Sequence, residues 1–268
     1  LATWQPERLV EYSLHLEKGR QTRVEEEALV SRCLLNALAA ACGLAQRLPF
    51  VLSEREQLTT KHYDFAGRAH QLQQGEIDFF GLHAHGEFVT PSERPQVILS
   101  GSFNPLHDGH LGMAQAVTQL LGRPVAFELS AVNVDKPPLP ATTMLDRIAQ
   151  FAGRYAVFVS NAPTYLLKAR LYPGCTFVVG YDTAVRIFDP RYYQNSHEQM
   201  VAALGEIRQR GCAFLVAGRV DSRGLFHSLA DLAVPPAFAD LFRPLPAELF
   251  RKDISSSALR ASHFRGSR

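Results

Sequence analysis

The 268-residue chain has no apolar run approaching the ~20 residues of a membrane span, and it opens on no recognisable signal peptide. Cysteine is scarce. Cys33, Cys42, Cys175 and Cys212 are scattered in apolar contexts and form no CxxC pair. That argues against structural zinc and a disulfide framework, and for buried free thiols in a reducing compartment. Charge of one sign is also lacking. A net charge of +2 does not fit a dedicated nucleic-acid binder. Repeats and low-complexity segments are absent too. What remains is ordinary globular composition, 46% apolar and 20% charged, in a chain long enough for one large α/β domain and a smaller piece. The expected location is cytoplasmic, with no membrane partner. The chain starts at Leu1 rather than Met, which leaves any upstream sequence open.

The two parts read differently. In the first ninety or so residues, Leu9 to Leu16 alternates with period two, as a half-buried strand does. Glu25 to Cys42 reads as a helix with an acidic first turn, an apolar stripe of Leu29, Cys33, Leu34, Leu38 and Ala41, and Gly43 as a stop. His70 to Val89 reads as strand material around Gly75, Gly81 and Gly86, and Pro91, Ser92 and Pro95 mark a boundary. His83 and His85, without further ligand-type neighbours, read as strand residues rather than a metal site. The expected division is an α+β segment over 1–93 and a larger domain over 94–268. From Arg94 onward strands at 97–100, 125–132, 156–160, 176–179 and 213–217 alternate with helices at 111–121, 142–153, 165–171 and 196–210, with Thr142 as a candidate N-cap. This predicts an α/β fold: a Rossmann-like, doubly wound parallel sheet with helices on both faces.

Gly101-Ser102-Phe103-Asn104-Pro105-Leu106-His107-Asp108-Gly109-His110 joins the first of these strands to its helix. A tight turn at a helix start suits phosphate, because backbone N–H groups and the helix dipole converge there. Two imidazoles spaced i and i+3 stand at that point, and Gly109 lets the backbone close on a phosphate. Taken alone, an HxGH string also fits a loop with two solvent-facing histidines. Near the other end stands Ile254-Ser255-Ser256-Ser257-Ala258-Leu259-Arg260, in a basic tail with Arg251, Lys252, Arg265 and Arg268. Hydroxyls at a helix start followed by an arginine make an anion cradle or an ordinary Ser-capped helix.

Together these motifs resemble the signature of the nucleotidylyltransferase superfamily, Gly-(Ser/Thr)-Phe-Asn-Pro-x-His-x-Gly-His with Ile-Ser-Ser-Thr-x-x-Arg. Ser257 stands here where the family has Thr, and the hydroxyl is kept. The Phe-Asn-Pro wording most resembles the nicotinamide/nicotinate mononucleotide adenylyltransferases. The resemblance implies transfer of a nucleoside monophosphate from ATP or CTP to a phosphorylated acceptor. It implies Mg²⁺ carried on the ATP phosphates and no dedicated metal site. By the same resemblance His107, His110, Lys136 and Arg260 are expected to be catalytic. Gly101, Ser102, Phe103, Asn104, Gly109, Gly180, Asp182, Arg219, Ser255, Ser256 and Ser257 are expected to bind nucleotide. Asn133, Arg147, Tyr192 and Tyr193 are expected to bind the acceptor.

Several of these have ordinary alternatives. Lys136 also fits a solvated turn, Arg147 a surface ion pair, Asp182 a helix cap, and the two tyrosines packing. The first 45 residues weakly resemble the tail of a CinA-type amidase module through a strand, Lys18–Arg23 and a helix, so 1–93 is expected to be structural or to form a dimer contact. Cytidylyl transfer, phosphopantetheine adenylyl transfer and a catalytically silent nucleotide-binding regulator are the competing functions.

Overall fold

The computed structural model describes residues 1–90, 92–134, 137–221 and 223–251. The expected site residues Lys136, Ser255, Ser256, Ser257 and Arg260 lie outside them, so the expected convergence of the two motifs does as well.

The chain begins with an antiparallel sheet of β1 (Ala2–Gln5), β2 (Arg8–His15) and β3 (Gln57–Asp64), in the order β1-β2-β3. Between β2 and β3 runs helix α1 (Arg23–Ala41), opened by a capping box in which Thr22 and Glu25 satisfy each other's backbone N–H groups. The expected stripe on α1 is split. Leu29, Cys33 and Ala37, spaced i, i+4, i+8, are buried, whereas Leu34 and Leu38 are exposed. In β2 the strict alternation also fails, because Leu9 and Val10 are both buried.

Helix α2 (Phe65–Gln73) follows β3 directly, with Asp64 accepting from the Gly67 N–H at 2.8 Å. Part of the expected strand material from His70 is therefore helical. The reason is the spacing of Phe65, Ala69 and Leu72, a helical period, and all three are buried. Only β4 (Phe79–Leu82) is strand in this stretch, with a single bridge from Leu82 to Phe88.

The remaining elements are β5 (Val97–Ser100), α3 (Asp108–Leu121), β6 (Ala126–Ser130), α4 (Ala141–Ala149), β7 (Val157–Ser160), α5 (Tyr165–Leu171), β8 (Thr176–Gly180), α6 (Tyr181–Ile187), α7 (His197–Gln209), β9 (Ala213–Ala217), the short hairpin β10 (Arg219–Val220) and β11 (Phe226–His227), and β12 (Phe242–Leu245). Seven strands form one sheet in the order β12-β9-β8-β5-β6-β7-β4, parallel except for β4, which runs against β7. This is the Rossmann-like α/β architecture. A boundary at residue 93 would cut through this sheet, since β4 belongs to it. Helix α4 starts after Pro140, whose fixed φ suits a helix start, and Thr142 lies inside the first turn rather than capping it.

Alternate residues of each strand serve opposite faces. Leu99, Phe127, Leu129, Val157 and Val159 pack with α2, α3 and α4, while Ile98, Phe158, Phe177, Val179 and Phe214 pack with α5, α6 and α7. Strand order reverses between β5 and β8, so the crevice for a ligand lies beyond their carboxyl ends. Among the described residues no helix is long and apolar enough to cross a membrane.

Leu72 is fully buried in the same core as the β5 and β6 side chains. Leu72→Ala is expected to lower stability by about 2–5 kcal/mol in denaturant unfolding. An unchanged midpoint would mean that α2 does not share the sheet's core.

Candidate active site

The turn after β5 is built around Phe103. Its side chain is fully buried, its φ is 43°, and its ring lies edge-on to His110, Phe127 and Phe151 at centroid distances of 5.0, 5.4 and 5.2 Å. A Cβ on Gly101 would meet that ring at 2.8 Å, which is why glycine stands there. Phe103 can therefore serve a nucleotide only by shaping the turn, because its side chain reaches no ligand. Gln150, just past α4, holds the turn at two points. Its Nε2 donates to the Phe103 carbonyl at 3.0 Å, and its Oε1 accepts from the Leu106 N–H at 2.8 Å. Arg147 donates to the Ser102 carbonyl at 3.0 Å.

His107 caps α3. The Gly109 N–H donates to His107 Nδ1 at 3.1 Å, and the His107 N–H donates to His110 Nδ1 at 3.4 Å. The rings stack with centroids 3.7 Å apart. These two amides thus face imidazoles. Since both Nδ1 atoms accept, each neutral ring carries its proton on Nε2. Burial holds both imidazoles below their ordinary range. His110 is pushed down to about 4, with repulsion from His107 as the second cause, while Asp108 partly offsets the effect at His107. At neutral pH the turn offers uncharged N–H donors.

A cleft of about 630 Å³ opens at the carboxyl ends of β5 and β6, against α5 and α6. It brings together Gly101, Ser102 and Asn104 from the turn with all four expected acceptor residues, Asn133, Arg147, Tyr192 and Tyr193. Tyr193 is partly committed to packing. Its hydroxyl donates to the Ile187 carbonyl at 2.9 Å, and burial raises its pKa to about 12. His107, His110, Gly109, Gly180, Asp182 and Arg219 do not line this cleft. Gly180 precedes α6, and the Asp182 carboxylate accepts from the Arg219 guanidinium. Those two expected nucleotide ligands are therefore engaged with each other across the ends of β8 and β9. Beside them Tyr181 stacks on His227 at 5.2 Å.

Sequence reasoning missed three features. Arg186 of α6 lines the cleft and has no side-chain partner among the described residues, a signal readable only once α6 is placed. Gln150 gave no motif. Lys168 of α5 and Glu128 of β6 form a buried ion pair at 2.6 Å, with Lys168 lining the cleft. The readable signal there was a glutamate inside an otherwise apolar strand, Ala126-Phe127-Glu128-Leu129.

The family model described as cytidylyltransferase-like matches residues 98–262, from β5 through the serine-rich motif. The chain belongs to the cytidylyltransferase-like family. A curated relative from Schizosaccharomyces pombe, named "Putative nicotinamide mononucleotide adenylyltransferase", is 30% identical over 130 residues, covering 43% of this chain and 51% of that protein. The chain thus spans about half the length of the curated relative it matches. For this cytidylyltransferase-like chain the HxGH turn is the strongest sequence motif, and it is anchored through Phe103, Gln150 and Arg147.

The low pKa of His110 links the turn to stability. The unfolded chain binds a proton near pH 6.5, and the folded one not until about 4, so stability is complete above that window and falls as pH drops through it. The loss is expected to reach up to about 3 kcal/mol at pH 4, and His110→Gln is expected to flatten that part of the profile. Thermal melts from pH 7.5 to 4.5 on both proteins test it. Parallel profiles would contradict it.

Proposed function

We propose that the chain transfers an adenylyl group from ATP to the phosphate of a mononucleotide, with nicotinamide or nicotinate mononucleotide as the preferred acceptor, and releases pyrophosphate. The observation that carries this reading is the cleft. It joins the motif turn to Tyr192, Tyr193, Arg147 and Arg186 at the sheet's switch point, a shape and chemistry suited to a ring-bearing phosphate ester. The family match and the printed name of the S. pombe relative support the same reaction class.

An acceptor phosphate oxygen attacks the α-phosphorus of ATP in line. The bond from that phosphorus to the bridging oxygen breaks, and pyrophosphate leaves with the electron pair. No side-chain nucleophile takes part. His107 and His110 donate Nε2–H groups to phosphate oxygens, with His110 nearest the α-phosphate, where charge grows in the transition state. Lys136, Ser256 and Arg260 hold the remaining phosphate oxygens. Mg²⁺ carried by the triphosphate would supply positive charge against the phosphate oxygens, and no side chain of this chain is assigned to hold it. Asp182 and Arg219 serve the nucleoside of ATP, and opening their ion pair is part of binding it. Tyr192 flanks the acceptor base, while Arg147 and Arg186 face its anionic groups.

The deciding assay is pyrophosphate release with ATP or CTP and each acceptor. Release with ATP and nicotinamide or nicotinate mononucleotide is the expected outcome. Release with CTP alone would replace adenylyl by cytidylyl transfer, and ATP binding without release from any pair would favour a silent nucleotide-binding protein. His110→Ala is expected to lower kcat by about 10²- to 10³-fold with only a modest fall in neutral-pH melting temperature from the lost helix-cap acceptor, and an unchanged rate removes it from the reaction. Arg186→Met is expected to raise the acceptor KM by about tenfold or more, and to leave the KM for ATP alone. An equal rise in both would move Arg186 out of the acceptor site.

A further inference from the structure

The cleft floor holds a feature that the proposed reaction leaves unused. Lys168 is 3% exposed and Glu128 fully buried, so both charges have left water. Such a pair is costly to desolvate, and an apolar pair of similar volume would hold the fold as well or better. Its hydrogen bonding is saturated. The ammonium donates to Glu128 Oε1 and Oε2 at 2.7 and 2.6 Å, and its third proton goes to Ser130 Oγ at 2.7 Å. Ser160 Oγ also donates to Glu128 Oε1, at 2.6 Å. Lys168 therefore has no donor left for a ligand, and its charge is cancelled by Glu128.

The consequence falls on Ser130, which lines the cleft. With a lone pair taken by the ammonium, its own proton must go elsewhere. The internal acceptor is Glu128 Oε1 at 3.5 Å, the long limit of a hydrogen bond. A ligand oxygen at normal distance would win that proton, and the ammonium polarises the hydroxyl as a donor. On the neighbouring strand β5, Ser100 also lines the cleft. Among the described residues its buried Oγ has no partner of hydrogen-bond geometry, although the Tyr165 hydroxyl is close to it.

We propose that the Glu128–Lys168 pair is a positioning device that fixes Ser130 as a hydroxyl donor to an uncharged, hydrogen-bond-accepting oxygen of the acceptor nucleotide, such as its carboxamide carbonyl. Ser130 makes the contact, and Lys168 and Glu128 act through it. This rests on the reading of the cleft as the acceptor site.

Isothermal titration calorimetry on the full chain with nicotinamide mononucleotide, and separately with ATP, tests it. Ser130→Ala is expected to weaken nicotinamide mononucleotide about five- to tenfold and leave ATP unchanged, while Ser130→Thr, which keeps the hydroxyl, stays near wild type. The double variant Glu128→Leu/Lys168→Met is expected to melt near the wild-type temperature, the relieved desolvation offsetting the Ser160 hydroxyl left without its acceptor, yet lose the same affinity. Adding Ser130→Ala to it should cost less than about twofold more, because the orientation is already lost. Unchanged nicotinamide mononucleotide affinity in Ser130→Ala or in the double variant overturns the proposal, as does an equal loss of ATP affinity. If the double variant does not fold, the Ser130 pair of variants decides alone. A wild-type protein that binds nicotinamide mononucleotide but releases no pyrophosphate overturns adenylyl transfer and leaves this assignment standing. One that does not bind it overturns this assignment.

Discussion

The candidate site depends on the burial of one aromatic ring beneath the turn after β5. Phe103 adopts a left-handed backbone conformation that a bulky residue holds only when its surroundings demand it, at a cost of roughly 1–3 kcal/mol. Phe127 and Phe151 supply the demand by enclosing the ring. With Phe103 seated, Gly101 must lack a side chain, Gln150 can reach both arms of the turn, and His110 lies edge-on to the ring. The two imidazoles then complete the helix cap with their Nδ1 atoms, which dedicates the opposite nitrogens to donation. The turn that sequence alone describes as glycine-bearing and phosphate-seeking is held in place by one side chain, Phe103, seated in the hydrophobic core.

The charges around the cleft are handled by pairing rather than by excess. Glu128 cancels Lys168, Asp182 engages Arg219, and the Ser102 carbonyl takes a donor of Arg147. Arg186 contributes positive charge to the cleft without a side-chain partner among the described residues.

Much of the α/β half was legible because its signals are local. The five buried runs from Val97 to Ala217 fell on β5 to β9, and the HxGH turn fell on the strand-to-helix junction where the switch-point rule puts ligands. What escaped was non-local or ambiguous in period. Strand β12 contains Pro244 and exposed Arg243, which disguise an edge strand. Helix α2 follows β3 without an intervening loop, so its helical spacing was hidden in strand-like residues. The four expected acceptor residues share one cleft, but nothing in the spacing of Glu128 and Lys168 announces a pair across forty positions of chain. Asp182 and Arg219 were read as two separate ligands because sequence does not reveal that they reach each other.

The most direct test of this account is nitrogen-detected NMR of the histidine side chains across a pH titration. His110 is expected in the neutral Nε2–H form at pH 6, taking up a proton only near pH 4 and at higher pH once ATP is added, while His107 titrates below the ordinary histidine range. A His110 that titrates near 6.5 or carries its proton on Nδ1 would contradict it, as would resonances of both rings unmoved by ATP.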